Sequence, residues 1–216
     1  MTAEEDKVEQ KRKDLIDFLG QDFTEAYTLL RNYDSRIWEM TQFCFLQFMG
    51  SIGAVWTIFS FANGKDAPAI LTDQWELVSA ILLIVSFLFS LLAVQWILRT
   101  RVYLVRQAKY IDNLRRFYFA NNPTGFENTT QYYAQPEKQK HFDADSTELH
   151  SVYFINLVSG FVLGFGIGLL AHYLGAPVFN SLYLGIAVWV SASAIKIGYS
   201  ILYLVRKDRK EEKQPA

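Results

Sequence analysis

Four apolar stretches set what this chain can become. Phe43 to Ala62, Leu77 to Leu98, Val152 to Leu174 and Val178 to Val205 each reach the roughly 20 residues that a helix needs to cross a hydrocarbon core. The first three carry no Asp, Glu, Lys or Arg, and the fourth carries only Lys196. A helix on a soluble core keeps a polar face, whereas these are apolar nearly all round. The expectation is an all-α polytopic membrane protein with four transmembrane helices and long cytoplasmic helical extensions.

Charge placement supplies an orientation. Six Lys and Arg precede the first stretch, eight lie between the second and third, and five follow the fourth. The segment from Asn63 to Glu76 has only Lys65, and the turn at Gly175 has none. The excess of basic residues on one side puts both termini and the central segment in the cytoplasm of an inner-membrane protein. The start, MTAEEDKVEQKRKD, lacks an apolar core and is not expected to be a cleaved signal peptide. The layout is then 1–38 as cytoplasmic N-terminal helices, 39–98 as a first transmembrane hairpin, 99–150 as a cytoplasmic basic helix and polar loop, 151–205 as a second hairpin, and 206–216 as a cytoplasmic tail that frays.

The N-terminal segment is helical in pattern. Gly20 is expected to interrupt it, with Asp22 and Glu25 forming a capping box that opens a new helix. Leu19, Phe23, Ala26, Leu30, Tyr33, Ile37, Met40 and Cys44 then fall at steps of four and three, a heptad seam. The same face continues through Gln47, Ser51 and Ala54. One long helix should therefore run from cytoplasm into membrane. Its seam serves either packing within the subunit or self-association. Asn63 to Glu76 reads as a short external loop containing Pro68. The second stretch, rich in Leu, Ile and Phe, should face lipid over much of its surface. It runs on without a breaker as far as Asn121-Asn122-Pro123-Thr124-Gly125, which ends its helix. Phe126 to Ala144 looks irregular, and the Asn128-Thr129-Thr130 sequon would be inert in the cytoplasm. Asp145 and Glu148 resemble another capping box before the third stretch, and Gly175 with Pro177 makes a tight external turn.

Gly160, Gly164 and Gly168 stack four apart on one side of the third stretch, with Asn156 and Ser159 beside them. In lipid, burying apolar surface between helices gains nothing, so close packing of small residues takes over. Gly185, Ala187, Ser191, Ala192 and Gly198 offer a matching surface on the fourth stretch. The ridge suits packing inside the hairpin, a contact between subunits, or a pore wall.

Lys196 is a functional candidate by virtue of its position. It lies ten residues before Arg206, about 15 Å along a helix. Snorkelling to the headgroups would account for it; facing a water-filled path, where lysines from several subunits favour anions, is the alternative. Gln42, Gln47, Gln95 and Asn156 could bond between helices or line that path.

The chain offers little to catalysis. It has three His and one Cys, Cys44, so no intrachain disulfide forms. His141, Asp143, Asp145 and His150 are the only grouping with ligand chemistry, and such polar runs are common in exposed loops. Phosphate-loop, zinc-protease and nucleophile-elbow motifs are absent from the sequence. No enzyme activity, cofactor or metal is expected.

Arg99, Arg101, Arg106, Lys109, Arg115 and Arg116 make the segment after the second stretch basic, with Tyr103, Tyr110, Phe117 and Tyr118 interleaved. Just outside a membrane, such residues meet anionic headgroups. That reading is preferred to nucleic-acid binding, and contact with a soluble signal is the alternative.

A long helix, a span, a short loop, a second span and then the basic run RVYLVRQAKYIDNLRRFYF resemble, over residues 20 to 120, small bacterial membrane effectors of the SLATT type found with antiviral defence systems. The second hairpin after Asp145 departs from that type. The resemblance implies a membrane-perturbing or pore-forming effector controlled by a cytoplasmic partner. The first expectation for function is a homo-oligomeric membrane channel or pore-like effector, with Gln47, Ser51, Asn156, Gly160, Gly164, Gly168 and Lys196 as pore or interface residues. The second is a membrane anchor or sensor that recruits a soluble cytoplasmic protein.

Overall fold

The computed structural model describes residues 3–64, 69–120 and 139–213. It has four helices: α1, Ala3–Ala62; α2, Ala69–Ala120; α3, Thr147–Tyr173; and α4, Val178–Glu212. Among the described residues there is no strand. Each helix holds a stretch long and apolar enough to cross a membrane. The all-α class and the four candidate spans are thus as expected.

Several boundaries differ from the sequence reading. No new helix opens at Asp22, because α1 passes through Gly20 unbroken. Thr24 Oγ1 instead donates back to the Gly20 carbonyl at 3.0 Å, which a threonine inside a helix can do without ending it. The connection after α1 is shorter than expected, since α2 has begun by Ala69 and includes Asp73 and Glu76. Glu76 Oε1 there lies 3.5 Å from His172 Nε2 of α3. The charged tail does not fray at Arg206: α4 continues to Glu212, and Asp208 Oδ2 accepts the Phe142 amide at 3.0 Å. Pro68, the Asn121–Gly125 break and the sequon at Asn128 lie outside the described residues.

The start of α3 is capped by Ser146, not by Asp145. Ser146 is extended (φ −76°, ψ 136°), and its hydroxyl accepts the Leu149 amide, which satisfies one donor orphaned at the helix start. Asp145 precedes the cap, its own amide donating to Asp143 Oδ1 at 3.2 Å. The other end closes as expected at Gly175, the residue with φ of 90°. Gly175 N donates to His172 O at 2.9 Å and Ala176 N to Ala171 O at 3.0 Å. This pair of bonds defines a Schellman ending, which requires a left-handed residue at the glycine position.

The chain divides into two compact units. The first comprises Met1–Arg36 and Thr100–His141. Here the heptad seam of α1 packs on α2. Tyr33 stacks on Tyr103 with ring centroids 6.1 Å apart, Arg115 lies over the Phe23 ring, and the Tyr118 hydroxyl donates to the Ile16 carbonyl at 3.1 Å. Tyr110 donates to Asp22 Oδ2. These contacts place the seam's aromatic residues against α2 of the same chain.

The second unit comprises Ile37–Arg99 and Phe142–Ala216 and contains the apolar stretches of all four helices. Gly164 faces Gly185 so closely that a Cβ on Gly164 would collide with the Gly185 carbonyl oxygen. A Cβ on Gly160 would fall on Ser193 Oγ, and one on Gly168 would come 3.2 Å from the Ser181 carbonyl. The α4 surface that meets the ridge is therefore Ser181, Gly185, Trp189 and Ser193, one residue every turn. Ala187 and Ser191, expected in that role, are exposed on another side. Gly166 points differently again: its Cβ would meet Leu83 Cβ of α2 at 3.1 Å. Bare backbone on α3 thus admits two neighbours, α4 along one side and α2 along another.

Candidate functional site

Lys196 is 7% exposed, and its ammonium points into the second unit. Nζ donates to Ser159 Oγ of α3 at 2.5 Å and to Ser90 Oγ of α2 at 3.1 Å. The face of Phe87 lies 5.0 Å from Nζ, within cation–π range. Ser90 is nine residues before Arg99, about 14 Å along the helix. The ammonium therefore stays at depth rather than climbing toward the headgroups. Snorkelling does not describe this lysine, because the two serines hold its head inside the bundle.

The serines are themselves positioned by backbone. Ser90 donates to the Phe87 carbonyl at 2.6 Å. Ser159 donates to the Asn156 carbonyl at 3.1 Å, and Ser193 of α4 donates to the same carbonyl at 3.4 Å. Each hydroxyl spends its single proton on a main-chain oxygen, so Ser90 and Ser159 present lone pairs to the ammonium. Asn156, fully buried, donates from Nδ2 to Ser200 Oγ at 3.3 Å. Ser200 returns a bond to the Lys196 carbonyl at 2.9 Å.

A second polar tier joins α1 to α2. Gln47 Nε2 donates to the Ser86 carbonyl at 3.1 Å and to Ser86 Oγ at 3.2 Å. Ser51 Oγ lies 3.0 Å from Ser86 Oγ. Ser86 and Ser90 are one turn apart on α2, which links the two tiers, and Ser79 is buried two turns further along the same face. Gln47 Oε1, Ser79 Oγ and Asn156 Oδ1 are buried and make no hydrogen bond to the described residues.

α2 leaves Val78, Ile81, Val85, Leu88, Phe89 and Leu92 exposed, in keeping with a span that faces outward over much of its surface, but its other side is buried. Ser79, Leu83, Ser86, Ser90, Ala93 and Ile97 form a buried seam. Its steps of four and three were the available signal, masked by the Leu, Ile and Phe around the serines.

The remaining expected site residues lie apart from this cluster. Gly160 borders it through Ser193. Gly164 and Gly168 floor an apolar groove of about 220 Å³ walled by Phe161, Phe165 and Trp189. Gln42 and Gln95 are exposed. Arg101 departs from the expected headgroup face. It is 3% exposed, and its Nε donates to the His141 carbonyl at 2.8 Å. Arg115 is half-buried, 3.4 Å from Asp112 and over Phe23. Arg99, Arg106 and Arg116 are exposed, and Lys109 is half-buried. Among the described residues no three His, Cys, Asp or Glu side chains gather as a metal site would require.

An ammonium in the interior of an apolar bundle is costly unless dipoles or counter-charges offset it. Here hydroxyl lone pairs and an aromatic face supply part of that offset. The four apolar stretches contain no Asp or Glu, so their one formal charge is positive.

Fold and cluster together define a multi-pass, all-α membrane protein with a polar centre among its apolar helices. No family model, curated protein or solved structure matches the chain.

Proposed function

We propose that the protein is a homo-oligomeric membrane channel or pore-like effector whose conducting path involves the Lys196 cluster. The observation that carries this reading is the ammonium itself, on a lysine nine residues inside the charged end of α4's apolar stretch and bonded to two serines, with no acidic residue in any of the four stretches. A charge so placed serves a path for ions or protons more readily than it serves stability. Buried oxygens on Gln47, Ser79 and Asn156 are the kind of groups that hold water inside a membrane protein.

Assembly has its own support. The glycine ridge of α3 is taken up within the chain, but other small residues are not. Ala187, Ser191 and Ala194 are exposed along α4, and Gly50 and Gly53 of α1 have nothing within 4 Å of a Cβ. Small residues on an outer face let a second copy approach closely. The excess of basic residues on one side supports an inner-membrane protein with both termini cytoplasmic. The likeness of residues 20 to 120 to SLATT-type effectors supports a role in antiviral defence.

A second reading is a membrane anchor or sensor for a soluble cytoplasmic protein. The compact first unit, built from segments outside the apolar stretches, favours it. Purified protein in liposomes separates the two. Ion flux from an oligomer is the expected result. A strictly monomeric, non-conducting protein that retains a soluble partner through residues before Arg36 would overturn the channel in favour of the anchor.

A further inference from the structure

We propose that a cleft between α2 and α4, at the charged ends of their apolar stretches, binds the phosphate of an anionic phospholipid. The cleft has a volume of about 70 Å³ and is lined by Gln95, Leu98 and Arg99 of α2 and by Tyr199 and Tyr203 of α4. Lys207 lies one turn beyond Tyr203, its ammonium 5.7 Å from the centre of that ring. Four of the five lining residues carry polar groups, and none is acidic.

The donor set suits a phosphate. Arg99 offers a planar fork of N–H groups that can engage two phosphate oxygens, and Lys207 adds a point charge. Two tyrosine hydroxyls and the Gln95 amide can donate as well. The position suits a lipid. Arg99 follows directly on Leu98, the last residue of its apolar stretch, and Tyr203 is three residues before Arg206. This is the depth at which headgroups lie and at which tyrosine collects. One turn deeper, Leu92 on α2 is 66% exposed and Ile195 on α4 is 71% exposed. They offer a bed for an acyl chain below the headgroup. A soluble phosphate would use the cations but not that bed. Basic pockets between transmembrane helices are a recurrent form of lipid site.

The site does not depend on conduction, so it can hold whether or not the protein is a channel. The test is native mass spectrometry of detergent-purified full-length protein with added phosphatidylglycerol, phosphatidylcholine or inorganic phosphate. Wild-type protein should retain phosphatidylglycerol in preference to phosphatidylcholine. Arg99→Gln and Lys207→Gln should each lower that retention about five-fold, while Lys210→Gln, on the charged tail outside the cleft, should leave it unchanged. Tyr203→Phe, which removes only a hydroxyl, should lower retention with the helical circular dichroism intact. Equal retention of both lipids, or an equal loss from Lys210→Gln, would overturn the proposal. Displacement of the lipid by millimolar inorganic phosphate would overturn the lipid as the ligand.

Discussion

Gly164 and Gly185 face each other across the α3–α4 hairpin with no room for a side chain on either. A Cβ on Gly185 would come 2.8 Å from the Gly164 carbonyl oxygen, and one on Gly164 would come 2.9 Å from Trp189 Cβ as well. Backbone is pressed against backbone, so neither helix can yield by turning a side chain aside. This contact substitutes for the hydrophobic driving force that a lipid environment withholds.

Gly164→Ala should therefore destabilise the hairpin by about 1–3 kcal/mol, the usual cost of overpacking. Gly198→Ala is the control, since nothing lies within 4 Å of its added Cβ and alanine favours helix. Thermal unfolding in detergent should show a lower midpoint for the first variant and an unchanged or higher one for the second. Equal midpoints would mean that α3 and α4 do not meet at this register.

Ser86 receives both Gln47 and Ser51. Ser86→Ala should cost about 0.6 kcal/mol, and no more than about 1.7, as interhelical hydrogen bonds in membranes do. Pairing it with Ser51→Ala in a double-mutant cycle should give a coupling of the same size. Strict additivity of the two substitutions would show that the α1–α2 tier is not formed.

Much of this arrangement could be read from residues alone, and the reasons for the rest are physical. Apolar stretches of membrane-crossing length fix the number of helices because lipid leaves the backbone few alternatives. The Gly175 ending was legible because a left-handed residue there has a short list of occupants. Helix phase was harder. α4 carries small residues on two sides, and the sequence alone did not tell Ser181, Gly185 and Ser193, which meet α3, from Ala187, Ser191 and Gly198, which do not. The buried face of α2 was hidden for a related reason. Serine at positions 79, 86 and 90 is small and weakly polar, so it dents an apolar profile only slightly. Arg101 looked like its basic neighbours, and only the His141 carbonyl opposite it gives it a different role. Within the central cluster, Lys196 and Asn156 stood out as polar residues in apolar stretches. Ser90, Ser159, Ser193 and Ser200 became visible as their partners only once the helices were packed.

The cap of α3 gives a further check. Ser146→Ala should cost about 1 kcal/mol and speed amide hydrogen exchange at Leu149, whose N–H the serine accepts. Asp145→Ala should leave that exchange rate unchanged. The reverse order would return the cap to Asp145.

Lys196 is the centre of the proposed conducting path. The most direct measurement compares ion flux through liposomes containing wild-type protein or Lys196→Met, with oligomer size and helical content checked in the same preparations. The expected result is that Lys196→Met assembles like the wild type and shows altered conductance or ion selectivity. Identical flux and selectivity from a properly folded Lys196→Met protein would contradict it.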